Sequence, residues 1–218
     1  MSLCPNFLYA GPDIPWMNPE CIGINTLPPR SHLHGFTNEV EAINAKPLDS
    51  HWHLNLDGNW KFRLYQKPAD LDEGCIKPDG KDSEWDSIKV PGNWMMQGYD
   101  SPHYTNVQMP FAHQPPKVPE ENPTGVYRSY FTLPKDWKER RTVIHFGGVE
   151  SAFFVFCNGN KVGFSKDSRT PVEFNLTPWI VSGTNHLTVV VIRWSDGSFL
   201  EDQDHWWMAG PHRSIYLR

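Results

Sequence analysis

Three observations predict an all-β fold, a β-sandwich or jelly roll, for this 218-residue chain. About eight to ten short apolar or alternating runs are separated by turn residues rather than by helical repeats. One run, Leu187-Thr188-Val189-Val190-Val191-Ile192, is almost entirely β-branched and reads as a central strand covered on both faces. Asn158-Gly159 joins two other runs, and this pair is the strongest short hairpin signal because a two-residue turn demands positive φ.

Residues 1–50 are expected to form an extended arm packed on a body spanning 51–218. Pro5, Pro12, Pro15, Pro19, Pro28, Pro29 and Pro47 punctuate the arm and fix φ without offering an N–H. Within it, Phe36 to Ala45 is expected to form a short helix capped by Thr37. His32 and His34, and again His51 and His53, share a face if extended, but no acid or cysteine cluster accompanies them, so ordinary polar histidines are favoured over metal ligands.

In the body, Trp60-Lys61-Phe62-Arg63-Leu64 alternates as a half-buried strand does. Trp85 to Val90 leads into the turn Pro91-Gly92-Asn93-Trp94. Residues 91–125 hold many prolines and few regular elements, and a loop that long usually carries function or covers a surface. Strands are then expected at Val126–Leu133, Thr142–Phe146, Ala152–Cys157, Lys161–Phe164 and Val172–Leu176. Gly147-Gly148 reads as a tight strand connection. A short turn-helix comes next at Thr177-Pro178-Trp179, with Thr as cap and Pro at the first helical position. Ser195-Asp196-Gly197-Ser198 is a turn, which makes Asp196 a turn residue. Ser214 to Leu217 closes the set, and an ending inside a strand reads as a piece of a longer protein.

Net charge is -5 with both signs interspersed, which argues against nucleic acid or an anionic membrane surface as partner. No apolar run is long enough to span a bilayer. Cys4, Cys21, Cys75 and Cys157 are scattered, so reduced thiols are expected and the compartment, cytoplasmic or periplasmic, stays open. Walker, dinucleotide, HExxH and GxSxG motifs are all missing, which argues against phosphate and hydride chemistry.

The densest chemistry lies in Arg193-Trp194-Ser195-Asp196-Gly197-Ser198-Phe199-Leu200-Glu201-Asp202-Gln203-Asp204-His205-Trp206-Trp207-Met208-Ala209-Gly210. If Glu201 to Trp207 is extended, Asp202, Asp204 and Trp206 line one side, offering two carboxylates and an aromatic plate. A sugar has matching surfaces, hydroxyls at its rim and C–H groups on its face. The plainer alternative has these acids paired with Arg193, Arg169 or Arg213 and the tryptophans in the core. Asn106, in Tyr104-Thr105-Asn106-Val107, presents an amide suited to two vicinal hydroxyls, or else merely stabilises a turn.

Taken in order, Pro91-Gly92-Asn93-Trp94, Gln97-Gly98-Tyr99, Tyr104-Thr105-Asn106-Val107, Glu121-Asn122-Pro123-Thr124-Gly125, Phe156-Cys157-Asn158-Gly159, Gly163-Phe164-Ser165-Lys166-Asp167-Ser168-Arg169 and Arg193 through Asp204 resemble the N-terminal domain of the β-galactosidases of glycoside hydrolase family 2. The resemblance implies a galactose-binding-domain-like jelly roll, the sugar-binding domain, beside a TIM barrel and further β-sandwich domains that this chain lacks. It implies that no catalytic residue lies in this chain, since both catalytic glutamates belong to the barrel. By the same resemblance Asn106 binds galactose hydroxyls, and Asp204 binds both the sugar and a sodium ion shared with the barrel, with Asp202 and Trp206 in support. Magnesium is implied for the parent through ligands mainly outside this chain, as are a β-galactoside substrate and a homo-oligomeric parent. Trp207-Met208-Ala209-Gly210-Pro211 departs from the family pattern and leaves sugar preference open. Two other functions remain in view, a stand-alone carbohydrate-binding module and an autonomous Asp202/Asp204 acid pair.

Overall fold

The computed structural model describes residues 7–9 and 12–218, so the readings placed on Cys4 and Pro5 lie outside the described residues. The early strands are β1 (Gly23–Ile24), β2 (Leu54–Asn55), β3 (Gly58–Tyr65), β4 (Asp86–Val90), β5 (His103–Tyr104), β6 (Thr124–Thr132), β7 (Val143–Phe146) and β8 (Val149–Glu150). After them come β9 (Ala152–Cys157), β10 (Asn160–Lys166), β11 (Val172–Asn175), β12 (Thr184–Ile192), β13 (Trp206–Trp207), β14 (Gly210–Pro211) and β15 (Ile215–Leu217). Seven strands form one sheet in the order β1-β10-β9-β12-β6-β3-β4, and four form a second, β11-β7-β15-β2. The all-β jelly roll expected from the sequence is the fold observed.

Pattern explains position. In β12, Leu187, Val189 and Val191 face the core between the two sheets, where they meet Phe62, Tyr127, Phe146, Phe153 and Phe174. Val190 and Ile192 face the opposite way, into a second apolar cluster with Phe154, Phe156, Phe164 and Trp194. The larger sheet is therefore covered on both sides, which is why this strand carries no alternation. Burying each such side chain contributes roughly 1.5–3 kcal/mol.

The second cover is made by the loops that carry Leu71, Ile76, Trp85, Val118 and Trp207, together with the arm. Leu8 and Trp16 lie in that cluster, and β1 adds an edge strand antiparallel to β10. The Trp16 carbonyl accepts from Asp196 N at 2.8 Å, and the Asn18 carbonyl accepts from Lys166 Nζ at 2.8 Å. Further on, Thr26 bridges to Phe174, and Leu27 N donates to the Glu173 carbonyl at 2.8 Å.

Several boundaries differ from expectation. Helix α1 covers Glu39–Asn44 and is capped by Asn38, whose side chain accepts from Glu41 N at 2.9 Å. Thr37 instead gives its own N–H to the Glu41 carboxylate at 2.7 Å, so the predicted cap is displaced by one residue. Trp85 turns out of β4 into the second cluster, beneath the Arg128 guanidinium at 4.9 Å. Thr177 does not cap its single turn, because Leu176 holds the cap position and the Thr177 hydroxyl accepts from Thr142 N at 2.9 Å. The Asn158-Gly159 turn has positive φ at both residues, 51° and 79°, as the hairpin signal requires.

Candidate functional site

β12 hands the chain to Arg193, which reaches back to the long proline-rich loop. Its guanidinium donates to Asp100 Oδ2 at 2.5 Å and to the Ser101 carbonyl at 3.1 Å. Asp196 accepts from Gly197 N at 2.9 Å at the start of helix α2 (Gly197–Leu200) and pairs with buried Lys166 at 2.6 Å. The turn role expected for Asp196 is real, and the ion pair is an addition.

Glu201 then anchors the loop that leaves α2. Its carboxylate accepts from Ser168 N at 2.7 Å and from the Ser168 hydroxyl at 2.6 Å, two charge-assisted bonds to the β10–β11 connection. The His205 ring nitrogens lie 2.9 and 3.1 Å from the carbonyls of Trp206 and Glu201, closing a compact loop. Residues 201–205 are therefore irregular, and the extended Glu201–Trp207 stretch expected from the sequence is not formed; only Trp206–Trp207 is strand. The cause is the side-chain anchoring, which the local alternation of residues does not encode. Without that strand, the spacing on which an Asp202/Asp204 acid pair would rest is gone.

The alternative in which Glu201, Asp202 or Asp204 pairs with Arg193, Arg169 or Arg213 is not formed among the described residues. Arg169 contacts Glu150 at 3.4 Å, and Arg213 donates to the carbonyls of Gly147 and Arg169. Asp202 is half-buried, and its Oδ1 is buried without a hydrogen-bond partner among the described residues. Asp204 is exposed. The two tryptophans divide, since Trp207 is 2% exposed and belongs to the second cluster while Trp206 is 53% exposed.

A two-rung ladder joins this loop to the distant one that holds Asn106. β13 pairs antiparallel with β5, Trp206 opposite Tyr104 and Trp207 opposite His103. Trp207 Nε1 donates to Thr105 Oγ1 at 2.8 Å, the Tyr104 hydroxyl donates to Asp204 Oδ1 at 2.5 Å, and the Tyr104 and Trp206 rings lie 5.4 Å apart. Asn106 comes directly after, exposed, with φ 22°, in a turn closed by Gln108 N to the Thr105 carbonyl at 3.3 Å. Its position is that of a turn residue, yet its side-chain amide has no hydrogen-bond partner among the described residues. Tyr104 thus touches both Asp204 and Trp206, with exposed Asn106 two residues further along its loop, while Asp202 is turned partly inward.

Two contributors were not legible. Tyr104 sits beside Asn106 in the same short motif, but nothing in its spacing marks it as the donor to Asp204. Glu150 follows the apolar Val149 and precedes Ser151, a context that marks no site, and it is 4% exposed; it accepts from Met208 N at 3.2 Å, and burial raises its pKa against the opposing pull of Arg169. Asp204 raises the Tyr104 pKa above its ordinary value through the hydrogen bond they share.

A jelly roll that presents a carboxylate, a primary amide and two exposed aromatic rings on adjoining loops has the chemistry of a carbohydrate-binding domain. The family model described as "Glycosyl hydrolases family 2, sugar binding domain" matches residues 54–218, and the chain belongs to that family. It is 48% identical over 202 residues to a β-galactosidase of Psychromonas ingrahamii, covering 93% of this chain and 19% of that protein. A Vibrio cholerae β-galactosidase is likewise 48% identical, over 203 residues and the same shares. Among solved structures, a β-glycosidase from Bacteroides vulgatus matches with TM-score 0.56 and 25% identity, over 76% of this chain and 20% of that one. Bacteroides uniformis β-glucuronidase 2 matches with TM-score 0.58 and 23% identity, over 76% and 17%, a likeness of fold alone. The chain thus contains a family 2 sugar-binding domain and spans about a fifth of the curated relatives it matches, 19% of each.

Proposed function

We propose that this domain forms one wall of the active site of a β-galactosidase that hydrolyses terminal β-D-galactosides with retention at the anomeric carbon, the catalytic carboxylates being supplied by the remainder of the parent. The observation that supports this is the Tyr104–Trp206 rung, which joins the loop of exposed Asn106 to that of exposed Asp204, whose Oδ1 accepts from Tyr104 while Oδ2 is left for a ligand. Asn106 offers an amide that both donates to and accepts from sugar hydroxyls. Asp204 offers Oδ2 to a hydroxyl, or to the hard sodium ion that the family resemblance implies.

The donor set fits sodium only as part of a shared site. Carboxylate oxygen is the right ligand type, and the buried, unpartnered Oδ1 of Asp202 leaves a second acceptor nearby in sequence. No group of three His, Cys, Asp or Glu among the described residues is placed to hold a metal, so the remaining ligands would come from another domain. Sodium there would supply positive charge that fixes a sugar hydroxyl; Asp204 orients and Tyr104 holds Asp204. Magnesium is assigned no ligand in this chain.

Activity assays on a chromogenic β-galactoside test the proposal. The parent turns the substrate over, the 218-residue chain alone does not, and Asn106→Ala or Asp204→Asn in the parent lowers kcat/KM by roughly tenfold or more, the worth of a lost hydrogen bond to a polar or charged partner. Turnover by the isolated chain above a mock-purified control would overturn it. The exposed Trp206 beside Tyr104 favours a second function, a self-sufficient binding module working by stacking. Calorimetric binding of lactose by the isolated chain, lost in Trp206→Ala, would establish that instead.

A further inference from the structure

The outer face of the four-stranded sheet carries a polar row that faces away from both apolar clusters. Glu173 of β11 stands opposite His145 of β7, and His145 stands opposite Tyr216 of β15. The His145 and Tyr216 rings stack at 4.4 Å, and His53, just before β2, lies 4.5 Å from Tyr216 on its other side. Across this row runs the arm. His32 lies 5.2 Å from His145, and His34 lies 6.5 Å from His53 and 6.4 Å from His32. Four histidines from three separate parts of the chain thus form one contiguous cluster around a tyrosine.

The anchoring of the arm here is almost wholly through side chains. Beyond Leu27, it is held by Arg30 to Glu173 at 3.2 Å and by the Ser50 hydroxyl to the Gly35 carbonyl. Glu173 is already shared: Arg218 donates to it at 2.7 Å and His145 contacts it at 3.1 Å. The other carboxylate acting on the cluster is Asp57, which favours a proton on His53. Facing the histidines are therefore two arginines, two carboxylates and the neutral Tyr216.

We infer that the histidine cluster is an acid-sensitive latch, which holds residues 28–36 of the arm on the sheet at neutral pH and releases them on acidification. Each added proton places a cation among other potential cations and the two arginines, with Glu173 already spent on three partners. Burial, then the neighbouring His32, His145 and Arg30, lower the His34 pKa below 6.5; burial, then His34 and His145, lower that of His53, against Asp57. A depressed histidine means that the docked arm binds fewer protons than the free arm. Docking is therefore fully stable above pH 6.5, the free value, and weakens as pH falls below it. This does not depend on the sugar site, which lies on other loops.

Tryptic cleavage at the Arg30–Ser31 bond reads arm release, because the protease must draw out a bond whose arginine is paired with Glu173. Cleavage of the 218-residue chain is monitored by mass spectrometry and divided by the rate for a free peptide of residues 26–36 at the same pH, which removes the protease's own pH dependence. The ratio rises from about pH 7.5 to about pH 5.5, because the released arm takes up protons that the docked arm does not. In His34→Gln/His53→Gln, or in His34→Gln alone if the double variant folds poorly, the rise is reduced. A flat ratio in the wild type, or an equal rise in the variants, overturns the latch.

Discussion

The Tyr104 hydroxyl donates a 2.5 Å hydrogen bond to Asp204 across a separation of 100 residues. A negative neighbour that accepts from a phenol disfavours phenolate, so Tyr104 holds its proton above the ordinary value of 10.0. Asp204→Asn removes the charge and brings that titration down toward the ordinary value. The Tyr104 contribution is isolated as the difference in alkaline ultraviolet absorbance between the chain and Tyr104→Phe; an unchanged titration in Asp204→Asn contradicts the pairing.

The adjacent tryptophans should respond oppositely. Trp207→Ala opens a cavity in the second apolar cluster and orphans Thr105, costing about 3–5 kcal/mol in urea unfolding. Trp206→Ala, at 53% exposure, changes stability by no more than about 0.5 kcal/mol. Comparable losses for the two would mean that both are core.

Arg128 is fully buried, and its guanidinium satisfies the carbonyls of Gly74, Cys75, Lys77 and Gly80 together with Asp82. Arg128→Met leaves those acceptors buried without a donor and should cost about 3–5 kcal/mol. Hydrogen exchange over residues 73–82 should rise with it, and an undisturbed loop would show that the packing, not the bonding, orders it.

His186 is 4% exposed, has no hydrogen-bond partner on either ring nitrogen among the described residues, and is pushed down to about 4 by burial and by Arg128. The unfolded histidine titrates near 6.5, so the unfolded state takes up its proton first. Stability should therefore decline as pH drops from about 6.5 toward 4. Urea midpoints at pH values across that window should fall less steeply in His186→Gln than in the wild type, and parallel slopes would refute the assignment.

The strands were legible wherever one side chain's surroundings decide its place. Val190 and Ile192 had to be buried because nothing else suits them, and Asn158-Gly159 had to turn because few residues accept that φ. The shape of residues 201–205 was not, since Glu201 answers to Ser168, 33 positions upstream, and the alternation of acids there carries no trace of it. Asn38 displaced Thr37 as a cap for a similar reason: both can cap, and the competition was settled by Glu41 reaching back. Asn106 and Asp204 were expected as site residues from family motifs, whereas the joining of their two loops came only with the β5–β13 ladder.

That ladder couples the two loops into a single structural unit. Tyr104 and Thr105 are chosen by what Asp204, Trp206 and Trp207 require, and the reverse holds as well. A graft that moves residues 201–207 from a relative into this chain without residues 103–106 would carry a lock without its keyway, so exchange of sugar preference between relatives should succeed only when both segments travel together.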